Sequence, residues 1–461
     1  MALLIAAPCS GSGKTLLSLL LAAVARQRQL GLQTFKVGPD YLDPQWLSAA
    51  SGRQCRNLDL LLCDQLWVRQ SFHWWSNQSD LALVEGVMGL YDGRGPSAEG
   101  SSAAVALSLD LPVVLVVEAS RQAGSLAALV RGFRDHDPRL RFAGVVLNGV
   151  NSERHRQLLS EALAGIAMPL LGVLPRHQAL ELPSRHLGLV PPQELPQWPQ
   201  QLAELAALAT GWLDLEALLP LLATGKSSAD LAHPLERQLG PRQPANSAAM
   251  VAIARDAAFH FCYPELAESL QWLGCRIGAW APLEDQALPP GSTAVVLPGG
   301  YPELHAAELS RCRQSLSSLA NHGGRGLPLY AECGGLLLLG QELLDGDGTA
   351  HGMAGLLPGR ASRGELSLGY RQATAQQNGL VVRAGECLTG HEFHRWQWQN
   401  IADQALWRLE GWGVPSKIEG WTNAAVHASW LHLHWGGCPS IPRRLQAAAT
   451  AACGKKTSLG S

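Results

Sequence analysis

Cys333 lies where one apolar run ends and a helical apolar run begins, within the stretch Leu327–Leu337. Ala331 and Gly335, two residues before and two after it, are the small neighbours that a sharp strand-to-helix turn requires. Such a turn presents the sulfur at the N-terminus of a helix, a position that favours the reactive thiolate. The pattern therefore predicts a nucleophilic cysteine rather than the buried, inert cysteine that is common in the cytosol.

A cysteine nucleophile needs a base, and histidines cluster at two places in the C-terminal part of the chain. One cluster holds His427, His432 and His434, and the other holds His391 and His394. Alternation along a predicted strand places His432 and His434 on one side and His427 on the other. The second cluster is one residue short of the zincin spacing and has no cysteine pair nearby, so no zinc site is expected.

Three glycines are candidates for binding a developing oxyanion. Gly299 and Gly300 follow a predicted strand, and a Gly-Gly turn there can direct backbone N–H groups at the substrate. Gly334, directly after the predicted nucleophile, supplies a second donor. These residues predict an acyl-transfer site.

A second chemical motif lies at the N-terminus. Residues 2–7 form an apolar run that leads into Pro8–Thr15, and a Leu-rich helical pattern follows. This strand, Gly-rich turn and helix predict a P-loop, in which Lys14 reaches the terminal phosphates and Thr15 binds Mg²⁺. Pro8 stands where the strict pattern has glycine. The predicted ATP-binding residues of the loop are Gly11, Ser12, Gly13, Lys14 and Thr15.

Carboxylates follow two of the next predicted strands. Asp40 and Asp43 come after one strand, and Glu85 and Asp92 after another. Because the carboxyl ends of parallel strands share one edge of a sheet, these side chains are expected near the P-loop, as Mg²⁺ or substrate ligands. Turn chemistry is the alternative. Asn148 closes a further strand and is expected either to contact the nucleotide base or to cap the strand end.

The strands are predicted from apolar, β-branched or Leu-rich runs that alternate with helical patterns, which indicates an α/β protein with a mostly parallel, doubly wound N-terminal sheet. The predicted strands are 2–7, 32–37, 81–84, 112–117, 142–147, 169–174, 250–254, 293–297 and 327–330.

Composition bounds the function. A chain of 461 residues with 47% hydrophobic content is expected to form two large domains. The net charge of −2 gives no reason to expect nucleic acid or an anionic membrane as a partner. Ten scattered cysteines without a close pair indicate reduced thiols and a cytoplasmic protein. No apolar run is long enough to predict a membrane span.

The periodic pattern fails over residues 223–248, which are rich in Gly, Pro and Ser and are predicted to be a linker. The predicted domains are therefore a P-loop nucleotide-binding domain over 1–222 and a second α/β domain over 249–440. Residues 441–461 are expected to be a disordered tail.

Taken together, the motifs resemble the cobyrinic acid a,c-diamide synthases of corrinoid biosynthesis. This family joins a dethiobiotin-synthetase-like P-loop domain to a class I glutamine amidotransferase domain. The stretches that carry the resemblance are Phe35–Pro44, Asn57–Asp59, Val84–Gly93, Ser184–Leu189, Ala254–Phe259, Gly299–His305, Tyr330–Gly335 and Gly390–His394.

The resemblance implies that Cys333 is the glutaminase nucleophile and His432 its base. Most class I glutaminases carry Glu two residues after that histidine, but His434 stands there, as the Glu is also absent from the family's branch. A Cys–His dyad is implied, and either His434 or a backbone carbonyl could orient His432. Substrate contacts are expected at Lys36, Tyr41 and Tyr91, within the matching stretches.

The implied reaction is ATP-dependent amidation of the a and c carboxylates of cobyrinate through an acyl phosphate, with Mg²⁺ and with ammonia taken from L-glutamine. Free ammonia is the alternative nitrogen source, and a homodimer is expected by analogy with dethiobiotin synthetase. The motifs leave hydrogenobyrinate and nickel-sirohydrochlorin open as substrates. A P-loop ATPase switch that binds a protein partner is a further alternative, but it gives the downstream cysteine and histidines no use.

Overall fold

The chain folds into two compact units, each of which contains its own α/β sheet. The computed structural model describes residues 2–181, 184–185, 188–189, 192, 195, 197–225, 231–245, 249–399 and 405–457. The units are Met1–Pro234 and Leu235–Ser461. Among the described residues, no helix combines the length and the apolar character needed to cross a membrane.

The first unit is built on a seven-stranded sheet in which every pairing is parallel, in the order β3-β2-β4-β1-β5-β6-β7. Its strands are β1 (Leu3–Ala6), β2 (Leu32–Val37), β3 (Arg56–Leu58), β4 (Leu81–Glu85), β5 (Val113–Glu118), β6 (Phe142–Asn148) and β7 (Leu170–Leu174). The predicted parallel sheet is confirmed, because near-continuous apolar runs are what strands covered on both faces require. The sequence missed β3, which is only three residues long.

Helices cover this sheet. They are α1 (Lys14–Gln27), α2 (Asp43–Ser51), α3 (Gln65–Ser76), α4 (Ser102–Leu109), α5 (Ser125–His136), α6 (Glu153–Ala164), α7 (Trp198–Trp212) and α8 (Leu215–Leu222). Helix α1 is buried along most of its length, and its leucines share a core with β1 and with Leu205 and Ala209 of α7. A small two-stranded sheet pairs β8 (Ser184–Arg185) with β9 (Gly188–Leu189).

The second unit contains an 11-stranded mixed sheet. Its strands are β10 (Met250–Ala254), β11 (Arg276–Trp280), β12 (Ala294–Leu297), β13 (Leu329–Glu332), β14 (Glu342–Leu344), β15 (Ala350–Gly352), β16 (Arg360–Ala375), β17 (Cys387–Gln399), β18 (Ala405–Gly411), β19 (Val414–Thr422) and β20 (Val426–Ser429). The order is β11-β10-β12-β13-β20-β19-β18-β16-β14-β15, and β17 pairs with β16.

Two halves of this sheet differ in direction. Strands β11, β10, β12, β13 and β20 are parallel neighbours, whereas β16 to β19 form long antiparallel ribbons. The sequence predicted β10, β12 and β13 but none of the ribbons, because those strands alternate and carry many polar residues. The helices are α9 (Pro234–Leu239), α10 (Pro264–Trp272), α11 (Ala306–Leu309), α12 (Arg313–Gly324), α13 (Gly334–Leu339) and α14 (Ser440–Thr457).

The predicted linker over 223–248 overlaps the boundary between the units. Thr224 is tied to the first unit, since its hydroxyl donates to the carbonyl of Ser79 at 2.6 Å. Helix α9 also falls inside the predicted linker. Residues 226–230 and 246–248 lie outside the described part of the chain, so the linker as a whole stays a prediction.

The prediction of a disordered tail from residue 441 is wrong for residues 441–457. They belong to α14, in which Ile441, Leu445, Ala449 and Ala452 are buried. The first three are part of a hydrophobic core of the second unit. These residues recur at helical spacing, but the polar residues between them and the small size of alanine hid the pattern. Residues 458–461 lie outside the described residues.

We expect α14 to stabilise the second unit through Leu445, which is fully buried. Leu445→Ala should lower the free energy of unfolding of that unit by about 2–5 kcal/mol, since it removes a buried side chain and leaves a cavity. Chemical denaturation of the full chain would measure it. Ala447→Ser, at an exposed position of the same helix, is the control and should change stability by less than about 0.5 kcal/mol. Equal stability of the two variants would contradict the packing role.

Candidate active sites

The predicted P-loop connects β1 to α1 and leaves the N-terminus of the helix open. Gly13 precedes α1 with φ 111°, and no side chain among the described residues caps the helix there. Asn148 also holds the loop, because its Nδ2 donates to the carbonyl of Ser12 at 3.1 Å. A Cβ on Gly13 would lie 2.7 Å from that Nδ2 atom, so only glycine fits. Uncapped N–H groups at a helix start are suited to phosphate.

The Lys14 side chain reaches from the P-loop to the loop that follows β4. Its Nζ donates to the carbonyl of Met88 at 2.6 Å, in the loop that follows β4. Burial, and then repulsion from Lys36, lower the pKa of Lys14 below its usual value. Met88 itself has φ 47°, a left-handed conformation unusual for methionine. The loop after β4 therefore meets the P-loop, as shared strand ends predict.

Glu85, at the end of β4, contacts the P-loop threonine. The hydroxyl of Thr15 donates to Glu85 Oε1 at 2.9 Å. Glu85 is fully buried, and burial raises its pKa above the usual value. Its second oxygen, Oε2, has no hydrogen-bond partner within the part of the chain that the structure describes.

Lys36 lies among three of the predicted carboxylates. Its buried Nζ lies 2.7 Å from Asp43 Oδ2, 2.9 Å from Glu85 Oε1 and 3.9 Å from Asp40 Oδ2. Burial alone would lower the pKa of Lys36, but the charges of Asp43 and Glu85 outweigh it and raise the pKa. The carboxylates are therefore brought together as predicted, around a lysine whose ammonium is already engaged. The substrate contact expected of Lys36 stays a prediction.

Asp40 and Asp92 hold their own loops. Asp40 Oδ1 accepts the N–H groups of Leu42 and Asp43 at 2.9 and 3.1 Å. Burial, and then the charge of Asp43, raise the pKa of Asp40 to about 7. Asp92 Oδ2 accepts the N–H of Gly89 at 2.8 Å. Both contacts match the turn chemistry that the sequence left open as the alternative to ligand binding.

The two tyrosines expected to contact substrate differ in environment. Tyr41 is buried beside the Asp40 turn, with a side chain 8% exposed. Tyr91 donates from its hydroxyl to the carbonyl of Phe133 on α5 at 2.6 Å and stacks on the Phe133 ring. The Tyr91 hydroxyl is thus engaged within the first unit, and the substrate role of both residues stays a prediction.

In the second unit, Cys333 forms the sharp turn between β13 and α13. Its backbone has φ 46° and ψ −112°, a strained conformation for a residue with a side chain. Its N–H donates to the carbonyl of Ser429 at the end of β20, at 2.7 Å. A Cβ on Gly335 would lie only 2.2 Å from the carbonyl oxygen of Leu297, which explains the small residue after the nucleophile.

His432 is the histidine that meets Cys333. It is fully buried, and its imidazole lies beside the Cys333 side chain. Burial by itself lowers the pKa of His432, but the Cys333 thiolate and the carboxylate of Glu332 outweigh it and raise the pKa to about 10. Backbone bonds in both directions with His391, at 2.9 and 3.0 Å, fix the segment.

The predicted strand through His432 and His434 is wrong. Strand β20 ends at Ser429, and both histidines lie in the irregular segment that follows it. His434 Nε2 lies 3.6 Å from Glu265 Oε2 on α10, and its Nδ1 accepts the N–H of Gly436. His434 therefore pairs with α10. The alternation rule failed here because it holds only while the backbone stays extended.

The three glycines of the predicted oxyanion site gather around the cysteine turn. A Cβ on Gly299 would lie 2.4 Å from His432 Cε1, and a Cβ on Gly334 would lie 2.9 Å from the backbone N of Gly300. Gly300 has φ 156°, and a Cβ there would meet the carbonyl oxygen of Ala258 at 2.0 Å. No larger residue fits at any of these positions. Their oxyanion-binding role stays a prediction.

The second histidine cluster supports the cysteine through its backbone. Glu392 of β17 is fully buried and accepts from Arg371 Nε at 2.7 Å, Lys417 Nζ at 2.8 Å and His394 Nε2 at 3.1 Å. This charge network fixes β17, whose Phe393 carbonyl lies 3.8 Å from Cys333 Sγ. Among the described residues, no group of three or more His, Cys, Asp or Glu side chains is arranged to hold a metal ion.

The sequence missed Glu332 as a member of this site. Glu332 Oε2 lies 3.6 Å from His432 Nδ1. The available signal was a carboxylate inside an otherwise apolar strand end, directly before the nucleophile.

Family profiles match both units. Residues 3–190 match the CobQ/CobB/MinD/ParA nucleotide binding domain, and residues 250–439 match the CobB/CobQ-like glutamine amidotransferase domain. A nucleotide-binding P-loop domain and a glutamine amidotransferase domain in one chain define a glutamine-dependent amide ligase.

Named relatives match almost the whole chain. The cobyrinate a,c-diamide synthase of Synechococcus sp. is 42% identical over 442 residues, covering 95% of this chain and 96% of the relative. That of Gloeobacter violaceus is 43% identical over 438 residues, with 95% and 94% covered. The hydrogenobyrinate a,c-diamide synthase of Streptomyces coelicolor is 40% identical over 475 residues, with 96% of each covered. The chain belongs to the cobyrinate a,c-diamide synthase family.

The P-loop geometry yields a test of ATP binding. Gly13→Ala should weaken ATP binding by at least about tenfold, because the new Cβ clashes with Asn148 and adds about 1–3 kcal/mol of backbone strain that displaces the loop. Titration calorimetry would measure the Kd. Gly132→Ala is the control, since no described atom lies within 4 Å of a Cβ built there. A Kd within about twofold of wild type for Gly13→Ala would contradict this role of the glycine.

Proposed function

We propose that this protein amidates the a and c side-chain carboxylates of cobyrinate, with ATP as the energy source and L-glutamine or ammonia as the nitrogen donor. One observation carries the proposal: Cys333 at a strained turn lies beside the buried His432, in a chain that also has an open P-loop. The relatives from Synechococcus sp. and Gloeobacter violaceus, named for cobyrinate, support the choice of substrate.

The glutaminase half-reaction follows from the charges at the cysteine turn. The Cys333 thiolate attacks the side-chain amide carbon of glutamine, and the negative oxygen that forms faces the N–H groups of the glycine cluster. The His432 imidazolium donates its proton to the departing nitrogen, so ammonia leaves and a thioester remains. Neutral His432 then takes a proton from water, which attacks the thioester and releases glutamate.

The synthetase half-reaction activates a carboxylate. An oxygen of the corrin carboxylate attacks the γ-phosphorus of ATP, ADP leaves, and an acyl phosphate forms. Ammonia attacks the acyl carbon and phosphate departs with the former carboxylate oxygen, which leaves an amide. Lys14 and the N–H groups at the start of α1 balance the negative charge of the phosphates.

Mg²⁺ fits the oxygen atoms available beside the P-loop. The Thr15 hydroxyl and Glu85 lie in contact, and Glu85 has a buried oxygen without a partner among the described residues. These are the oxygen ligands that Mg²⁺ prefers, and the ion would neutralise phosphate charge there. Asp43 would balance Lys36 instead of holding the metal, since the two side chains pair at 2.7 Å.

Asn148 would contact ATP, because it touches the P-loop backbone at Ser12. The homodimer is an analogy with dethiobiotin synthetase, and the cytoplasmic location follows from the composition. A P-loop switch that binds a protein partner is disfavoured by the Cys333–His432 pair, which such a protein would not use.

The two chemistries should be separable by mutation. Cys333→Ala should reduce glutamine-dependent synthesis by at least about 10³-fold, because the nucleophile is lost, and leave ammonia-dependent synthesis near the wild-type rate. Lys14→Ala should reduce synthesis with either nitrogen source by at least about tenfold. Amide formation measured with glutamine and with a high ammonium concentration checks both. Loss of the ammonia-dependent rate in Cys333→Ala, or near wild-type synthesis by Lys14→Ala, would contradict the assignment.

The corrin substrate is tested directly. Purified protein incubated with ATP, Mg²⁺ and glutamine should convert cobyrinate to the a,c-diamide with a higher kcat/KM than hydrogenobyrinate or nickel-sirohydrochlorin. Mass spectrometry of the products counts the amides added. The Streptomyces coelicolor relative, which is named for hydrogenobyrinate, is 40% identical, so preference for that metal-free corrin is the main competing result.

A further inference from the structure

The catalytic dyad leaves one nitrogen of His432 to be accounted for. That atom, Nδ1, lies 3.6 Å from Oε2 of Glu332, and both side chains are almost completely buried. The Cys333 side chain lies beside the same imidazole. The histidine therefore has both a carboxylate and the proposed nucleophilic sulfur as neighbours.

Hydrogen bonds to its other carboxylate oxygen hold Glu332 in place. Its Oε1 accepts the hydroxyl of Tyr330 at 2.5 Å and the N–H of Leu433, next to His432, at 3.4 Å. The Tyr330 hydroxyl in turn accepts from Trp435 Nε1 at 3.3 Å. These bonds leave Oε2 directed at the histidine, and a buried carboxylate held this way has a fixed position.

The residue at the usual triad position does not take this role. His434, two residues after His432, faces Glu265 on α10 at 3.6 Å. In the described part of the second unit, the Glu332–His432 and Glu265–His434 pairs are both buried and both 3.6 Å long, and only the first includes the histidine beside Cys333.

We propose that Glu332 is the positioning residue of the glutaminase site: it holds His432 through Nδ1, turns Nε2 towards Cys333, and stabilises the imidazolium. It replaces the glutamate that most class I glutaminases carry two residues after the histidine. This inference rests on the proposed roles of Cys333 and His432. Glu332 would then be the third titratable group of the site, beside Cys333 and His432.

The strained turn explains how adjacent residues reach one imidazole. In an extended strand, Glu332 and Cys333 would point to opposite faces of the sheet. The turn at Cys333, with φ 46°, departs from the extended conformation. It lets both side chains approach His432.

The charges around His432 favour this arrangement. The titratable groups that face it are Glu332 from β13, Cys333 at the start of α13 and His391 from β17. Burial, together with repulsion from His432, lowers the pKa of His391 to about 3, so His391 adds no positive charge. The two acidic neighbours are left to keep the His432 imidazolium charged.

Glu332→Gln tests the proposal, because it removes the charge and keeps the shape of the side chain. We expect kcat for glutamate release to fall by at least about tenfold, with KM for glutamine changed by less than about threefold. The loss of the carboxylate also lowers the pKa of His432, so the alkaline limb of the pH–kcat profile should move to lower pH. A packing defect alone would not move that limb.

Glu265→Gln is the matched control, since it removes the carboxylate of the other buried pair. It should leave kcat for glutamate release within about twofold of wild type and the alkaline limb in place. Chemical denaturation of both variants reports whether the second unit has folded. Should Glu332→Gln fail to fold, Glu332→Asp replaces it: the charge stays but moves back by one methylene, so kcat should fall while the limb stays.

The outcomes distinguish a wrong role for Glu332 from a wrong assignment of the whole glutaminase site. If Glu332→Gln keeps kcat within about twofold and the limb unmoved, Glu332 does not position His432, even if Cys333→Ala and His432→Ala are inactive. A wild-type kcat in Glu332→Asp, when that variant is needed, has the same meaning. If Cys333→Ala still releases glutamate, the proposed glutaminase site itself is wrong.

Discussion

The strained backbone at Cys333 is the constraint on which the glutaminase half depends. A non-glycine residue at positive φ costs about 1–3 kcal/mol, so its surroundings must enforce the conformation. The Cys333 N–H is held by the Ser429 carbonyl, and the glycine after the turn lies against the carbonyl oxygen of Leu297. Because these contacts come from two neighbouring strands, the parallel part of the sheet has to form before the turn can persist.

Buried charge networks give each site its rigidity. In the first unit Lys36 binds Asp43 and Glu85, and in the second Glu392 binds Arg371 and Lys417. Removing one partner from such a network leaves an uncompensated buried charge, which is strongly destabilising. These networks fix backbone positions next to the chemistry: Glu85 joins the P-loop threonine, and Glu392 anchors the strand that passes the sulfur. Charge is used here to hold geometry as well as to bind ligands.

Local rules explain how much of this could be predicted from sequence. The P-loop, the parallel strands and the cysteine turn each depend on neighbouring residues, and all of them appear in the structure. Glu332 could not be assigned, because strand alternation directs it away from its neighbour Cys333 and only the turn reverses that expectation. Strand alternation also predicted that His434 lies on the same side as His432. Nothing in the local sequence shows that the strand ends at Ser429.

The buried histidines of the second unit show why the pKa of His432 differs from those of His391 and His427. Burial lowers the pKa of both His391 and His427 to about 3, so they stay neutral; His427 stacks face to face on Tyr330. His432 is as deeply buried, yet its pKa is raised to about 10. Since burial acts on all of them in the same direction, it cannot distinguish them. The neighbouring Cys333 and Glu332 do, because they raise the pKa of this one histidine, as its proposed role as proton donor to the leaving ammonia requires.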